Sequence, residues 1–322
     1  MYELDKFDRR ILFELTKNAR IPEVKLARMI GKSKESVRYR ISKLIENKII
    51  LRFTTWTDPA KLGLQTGKLY LKIANIPEKK KRFIDCVKKD KRLFWLGVAE
   101  GEWNIGLTYF VKSNAEFFYL KNELISKFKD LITESRVASV VGVFYHDRTF
   151  LFNTKTQWGT LFGEHKNYTV DKESCEILKI LLKNSRENLA QIAIKTGYSV
   201  DIVRNRMKKM ESLGIINRYT IDIDYKTLGY EFYKTFLYFN NLDEEQLQRL
   251  TNYCLLDQNI IHIVKQISSW DIELEIMCEN YHKYNEIISK LTEQFSDIIN
   301  KTETAIMSED HVFPSQKLIF ES

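Results

Sequence analysis

The chain has 322 residues, 44% of them hydrophobic, and carries a net charge of +8. That length is about twice the usual ~150 residues of a domain, so two to four domains are expected, and the apolar content excludes a disordered chain. Apolar runs such as residues 140–144 are far too short to span a membrane. The acidic start, Met1-Tyr2-Glu3-Leu4-Asp5, is unlike a secretory leader, so the expected location is cytoplasmic with no membrane partner.

Residues 1–60 read as three helices and a hairpin. Phe7, Ile11, Leu12 and Leu15 recur at helical spacing. Pro22 suits the first turn of a second helix, with Val24, Leu26 and Ile30 inward. Gly31 supplies a tight turn and Ser33 caps a third helix, whose inner stripe is Val37, Ile41 and Leu44. The β-rich run Ile49-Ile50-Leu51-Arg52-Phe53 then reads as a wing, completing a winged helix-turn-helix.

Residues 61–152 read as β-α-β-β-α-β, with elements at 68–73, 78–88, 93–99, 103–111, 115–128 and 132–144. The basic run Lys79-Lys80-Lys81-Arg82 fits the solvated face of the first of these helices, with Phe83, Ile84 and Val87 beneath. The polar stretch 153–168, with Gly159 and Gly163, reads as a linker.

The remainder repeats this plan. Sliding the chain by 166 positions places Asp5 on Asp171, Asn18 on Asn184, Arg20 on Arg186, Gly31 on Gly197 and Ser33 on Ser199. It also places Val37-Arg38 on Val203-Arg204, Arg40 on Arg206, and Leu62-Gly63 on Leu228-Gly229. One residue later in register, Trp103 falls on Trp270. Residues 169–228 are therefore a second winged helix-turn-helix, and 229–322 a second β-α-β-β-α-β module. Its elements are expected at 233–239, 244–256, 260–266, 270–278, 281–295 and 298–308. The fold class is α+β, with two copies of a winged helix-turn-helix followed by a ferredoxin-like βαββαβ module, which the family resemblance described below implies is an effector and oligomerisation domain. In each module one sheet face is covered by helices, and the other needs a partner or solvent.

Charge divides unequally. Residues 1–165 hold 32 basic and 19 acidic residues, and residues 166–322 hold 19 and 24, so only the first half favours a polyanion overall. With Val37, Ile41 and Leu44 inward, the third helix presents Glu35, Arg38, Tyr39, Ser42 and Lys43 outward, with Lys32 and Lys34 near its entrance. The second copy presents Asp201, Arg204, Asn205, Lys208 and Lys209. Guanidinium, amide and hydroxyl groups can bond base edges in a major groove, and lysines at a helix start can hold phosphates. The expected partner is double-stranded DNA. Arg40 and Arg206 lie on the flank, as structural or phosphate-facing groups.

These residues carry a family resemblance. The run Leu4-Asp5-x-x-Asp8-x-x-Ile11-Leu12, then Asn18-Ala19-Arg20, Leu26-Ala27, Ser33-x-x-x-Val37-x-x-Arg40-Ile41 and Asp58-x-x-x-Leu62-Gly63, resembles the Lrp/AsnC transcriptional regulators. The resemblance covers nearly the whole chain, twice, in the manner of the tandem archaeal members. It implies DNA binding, a small-molecule effector such as an amino acid, and homo-oligomers. The duplication itself points to a pseudo-dimer within one chain. In the family the turn between the second and third strands of the effector domain lies near the amino-acid site. Here those turns offer Gly101, Trp103 and Asn104, and Ser268, Trp270 and Asp271.

Enzymatic readings find little in the sequence. Cys86, Cys175, Cys254 and Cys278 are widely separated, and the five histidines form no metal-binding pattern. There is no glycine-rich phosphate loop and no nucleophile elbow, so no cofactor or metal is expected. The competing reading is a sirohaem-decarboxylase-like enzyme on the same fold. His262 stands at the histidine of that group's His-Asn-Tyr pattern, but Ile263-Val264 follow it, and the first copy has Trp95 at the equivalent place. A third reading, an interaction scaffold with a degenerate second helix-turn-helix, is weakened by Arg204 and Lys208.

Overall fold

The computed structural model describes residues 3–154, 158–162 and 168–313. The first copy runs α1 (Lys6–Lys17), α2 (Glu23–Ile30), α3 (Lys34–Glu46), β1 (Ile50–Thr57), β2 (Gln65–Ile73), α4 (Pro77–Val87), β3 (Leu93–Gly101), β4 (Ile105–Val111), α5 (Asn114–Lys127) and β5 (Ile132–His146). A short strand, β6 (Trp158–Phe162), follows. The second copy runs α6 (Lys172–Lys183), α7 (Leu189–Thr196), α8 (Val200–Ser212), β7 (Ile216–Ile223), β8 (Glu231–Phe239), α9 (Glu244–Cys254), β9 (Ile260–Ile267), β10 (Ile272–Cys278), α10 (Tyr281–Gln294) and β11 (Ile299–Val312). No helix among the described residues is long and apolar enough to cross a membrane.

The chain divides into two compact units that do not follow the copies. One holds both helix-turn-helix regions with residues 146–161, and the other holds both βαββαβ modules.

In the helical unit, local signals set the helices. Asp5 caps α1 by accepting from the backbone N–H groups of Phe7 and Asp8, and Asp8 returns a bond to the Asp5 N–H. Asp171 caps α6 in the same place. Ser33 and Ser199 cap α3 and α8. Pro22 occupies the position just before α2, whose first residue is Glu23. Gly31 and Gly197 end the second helices with φ near +70°, a conformation open to glycine. Ile11, Leu12, Leu15, Leu26, Val37, Ile41 and Leu44 form the first core. Ile177, Leu178, Leu181, Ile192, Val203, Met207 and Met210 repeat it.

The expected wing hairpins are not formed. Each third helix leads into one strand, and β1 pairs antiparallel with β7 of the other copy, so each copy supplies half of one ribbon. Ile221 and Ile223 of β7 thereby enter the core of the first copy. A sequence shows that a strand is present but not which strand it will pair with.

The domain limits also shift. The first module ends with β5, and residues 146–154, assigned above partly to that module and partly to the linker, belong to the helical unit. There Leu151 is buried in the first core, with Phe150 and Phe152 packed beside it. The stretch 153–168 contains β6 and so is not a plain linker; Gly163 falls outside the described residues.

In the sheet unit each module has the strand order 4-1-3-2, and the two modules join through β3–β11 and β5–β9. With β2–β5 paired as well, eight antiparallel strands close into a ring. Apolar side chains facing outward, such as Leu69, Leu71, Ile105 and Leu107, pack with Phe83, Val87, Leu120 and Leu124 of α4 and α5. Leu274, Ile276, Leu250 and Leu291 do the same in the second module. The face left open in the sequence reading is turned into the ring. Tyr70, Phe236, Trp270 and Trp103 fill it, with ring centroids 4.8–6.4 Å apart.

Candidate nucleic-acid interface

The outward face of α3 carries Glu35, Arg38, Tyr39 and Ser42 exposed, with Lys43 half-buried. Tyr39 is 64% exposed, a large aromatic with no core to fill. Lys43 reaches Glu46 at 2.8 Å and lies 5.7 Å from the Tyr39 ring centre. Lys34 begins the helix, while the Lys32 ammonium sits 4.1 Å from the Phe7 ring centre. On α8, Asp201, Arg204, Asn205, Lys208 and Lys209 are all exposed. Asp201 holds Arg204 in an ion pair one turn along the helix. The predicted reader residues therefore do gather on one solvent face of each third helix.

Arg40 and Arg206 are both paired with acidic residues near the start of the first helix of their copy. Arg40 bonds Asp5 and the buried Asp8 at 2.8 Å each, fastening α3 to the start of α1. Arg206 meets Glu173 at 2.6 Å and Asp171 at 3.3 Å. Arg40 keeps its charge: burial opposes it, and the bonds it donates to Asp8 and Asp5 overcome that.

A cleft of about 400 Å³, absent from the sequence reading, opens beside α3. Arg20, Glu23, Lys34, Arg38, Arg186 and Asn188 line it, together with Ile21, Pro22 and Val24. Glu23 accepts from Arg38 at 2.9 Å and lies 3.7 Å from Arg186. Arg20 donates to the carbonyls of Ser185 and Glu187 at 2.6 and 2.7 Å. Arg20 stacks on Tyr219 and Arg186 on Phe53, so the two copies exchange equivalent contacts. Burial, countered by Glu23, lowers the Arg186 pKa. The matched arginines were visible in the repeat, but their convergence depends on the β1–β7 pairing.

The turns proposed to touch an effector are mostly committed to structure. Trp103 and Trp270 are 3% and 1% exposed and point inward, 6.2 Å apart between ring centres. Asn104 accepts from the Ile73 N–H, and Ser268 donates to the Val137 carbonyl. Gly101 takes a φ of +117° against the Thr304 carbonyl. Asp271 is exposed.

The sheet unit also holds a charge cluster that the sequence reading missed. Glu273, fully buried, meets Lys234 at 2.7 Å and Lys68 at 2.9 Å, and accepts from the Tyr70 hydroxyl. Lys234 also pairs with Glu275, which lies 2.6 Å from His262 Nδ1. Burial would raise both carboxyls, but the ammonium groups hold them below the usual range. Lys234, facing both carboxylates, is pushed up despite burial, whereas burial pushes Lys68 down. No group of three or more His, Cys, Asp or Glu among the described residues is placed to hold a metal ion.

Residues 4–45 match the AsnC-type helix-turn-helix domain, and residues 175–217 match the winged helix-turn-helix DNA-binding family. An HTH-type transcriptional regulator of Pyrococcus abyssi is 35% identical over 116 residues, 35% of this chain and 76% of the relative. The chain belongs to the Lrp/AsnC family of transcriptional regulators. The HTH-type transcriptional regulator LrpA of Pyrococcus horikoshii is 46% identical over 61 residues, 19% of this chain and 43% of that protein. The relatives cited match only part of this chain, consistent with a duplicated Lrp/AsnC plan. The crystal structure of the siroheme decarboxylase NirDL shares the fold over 95% of this chain and 92% of its own, with TM-score 0.65 and 13% identity.

Proposed function

We propose that this Lrp/AsnC regulator binds duplex DNA with α3 and α8 as its two readers, acting in the cytoplasm and without catalysis. The observation that carries this reading is the outward set on α3, with Arg38, Tyr39 and Ser42 exposed and Lys43 half-buried, held by a helix-turn-helix of the matching family. Arg38 and Tyr39 supply base-edge contacts. Lys34 and the cationic cleft beside it attract backbone phosphates. The β1–β7 ribbon supports a pseudo-dimer within one chain as the binding unit, with homo-oligomers assembling from it. For a small-molecule effector such as an amino acid, the turn at Asp271 is the part of the family position whose carboxylate is exposed.

The test is a duplex-binding titration at several salt concentrations. Counterion release requires log affinity to fall as log salt rises. An absence of salt-sensitive duplex binding would overturn the function.

The full-length fold match keeps one enzymatic alternative, a sirohaem-decarboxylase-like activity. Two features support the regulator instead. His262 is tied to Glu275, and aromatic rings fill the ring of strands around it. A spectral shift on adding sirohaem, abolished by His262→Ala, would establish the alternative.

A further inference from the structure

We propose that the buried charges make the inner face of the first βαββαβ module an interface for the second module and bar it from pairing with a copy of itself. The two faces are matched by charge, and the match is one-sided. Lys68 and Lys234 are equivalent residues of β2 and β8. Both carboxylates come from the second module: the first has Gly106 where the second has Glu273, and Thr108 where it has Glu275. His262 likewise corresponds to Trp95.

Lys68 reaches its carboxylate only across the ring, because β2 and β10 are not neighbours. A ring built from two first modules would enclose two lysines and no carboxylate. One built from two second modules would set four carboxylates against two lysines. Counting these lysines and glutamates, only the unlike pair balances. At Lys68 and Glu273, 6% and 0% exposed, water cannot make good a missing partner. Trp95 reinforces the choice: a Cβ added at Gly106 would come 2.6 Å from its ring, so the first module has no room there for a carboxylate of its own.

The backbone offers no such discrimination. Glu100 of β3 lies opposite Ile306 of β11, and Ser139 of β5 lies opposite Ile267 of β9. Ile306 is the counterpart of Ser139, and Ile267 that of Glu100, so every pairing of modules has the same register. The interior charges are what distinguish them.

The experiment starts from the intact chain with a protease site replacing residues 155–157. The folded protein is cut, denatured, refolded by dilution and weighed by native mass spectrometry. With its own charges it should return almost wholly as unlike pairs. With Lys68→Met, Lys234→Met, Glu273→Gln and Glu275→Gln together, the unlike share should fall toward the one half expected from random pairing. An unlike share unchanged by the four substitutions would overturn the proposal. A second measurement uses the uncut chain and does not depend on refolding of the pieces. Glu275→Gln should restore at least half of the denaturation-midpoint shift caused by Lys68→Met, because it removes the surplus negative charge. Additive losses would overturn the proposal equally.

Discussion

Thr54 of β1 lies directly opposite Thr220 of β7, its own counterpart in the other copy. On either side Phe53 faces Ile221 and Thr55 faces Tyr219, so the ribbon is centred on this pair and reads alike from both ends. Both threonines are buried. The duplicated sequence has thus folded back on itself, and the two helix-turn-helix regions share one ribbon.

The Thr220 hydroxyl donates to the Thr16 carbonyl at the end of α1, at 2.8 Å. Thr220→Val keeps the shape and removes the donor. It should cost about 1–3 kcal/mol, since a buried carbonyl is left unpaired. Urea denaturation of the two proteins measures the loss, and an unchanged midpoint would refute it.

Lys48, after α3, has a φ of +57°, and its counterpart Gly214, after α8, has +66°. A left-handed lysine is strained where glycine is not. Lys48→Gly is expected to raise stability by about 1 kcal/mol, and Gly214→Lys to lower it by a similar amount. Thermal melting checks both signs.

The two reader arms are expected to be unequal. Residues 1–60 carry 14 basic and 8 acidic residues, against 11 and 8 in residues 167–228. Arg38→Ala with Lys43→Ala should therefore weaken DNA binding more than Arg204→Ala with Lys208→Ala. If Arg38 makes a good base contact, its removal costs about 1–3 kcal/mol and relaxes sequence preference. Footprinting with each pair decides the order; equal losses on a perfect palindrome would mean that two chains present identical arms.

Arg204 is held by Asp201, and Arg38 by Glu23. Asp201→Asn removes a negative charge from the α8 face and frees its guanidinium. Duplex affinity should rise several-fold at low salt, and the gain should shrink as salt screens the charge. Anisotropy titrations at two salt concentrations test this.

Acid should weaken the sheet unit through Glu275. Its carboxyl faces Lys234, His262, Lys68 and Glu273. Burial opposes its charge, and Lys234 and His262 hold it well below the ordinary value of 4.5. The folded value lies below the unfolded one, so this stabilisation is fully present above pH 4.5 and is lost as pH falls through the folded value. Glu275→Gln should flatten that acid limb in denaturation midpoints measured from pH 6 downward; an identical slope would refute the assignment.

The sequence by itself determined the local structure and the family. Apolar spacing placed the helices, Ser33 and Ser199 marked the starts of α3 and α8, and the repeat at 166 positions identified two copies. These signals are local: each depends on residues a turn or two apart, or on a motif carried intact along the chain. The outward faces of α3 and α8 were legible for the same reason, because a helix fixes which side chains oppose its buried stripe. Only the tertiary structure decided the pairings. A strand such as Ile50–Thr57 has the same alternation whether it turns back as a hairpin or meets β7, so the shared ribbon could not be read from it. Nor could the converging arginines of the cleft, which come from different copies. Lys68, Lys234, Glu273 and Glu275 alternate with apolar residues, and a polar residue at such a position normally faces water. Ring closure turned that face inward, so residues whose spacing marks a solvated surface became a buried charge network.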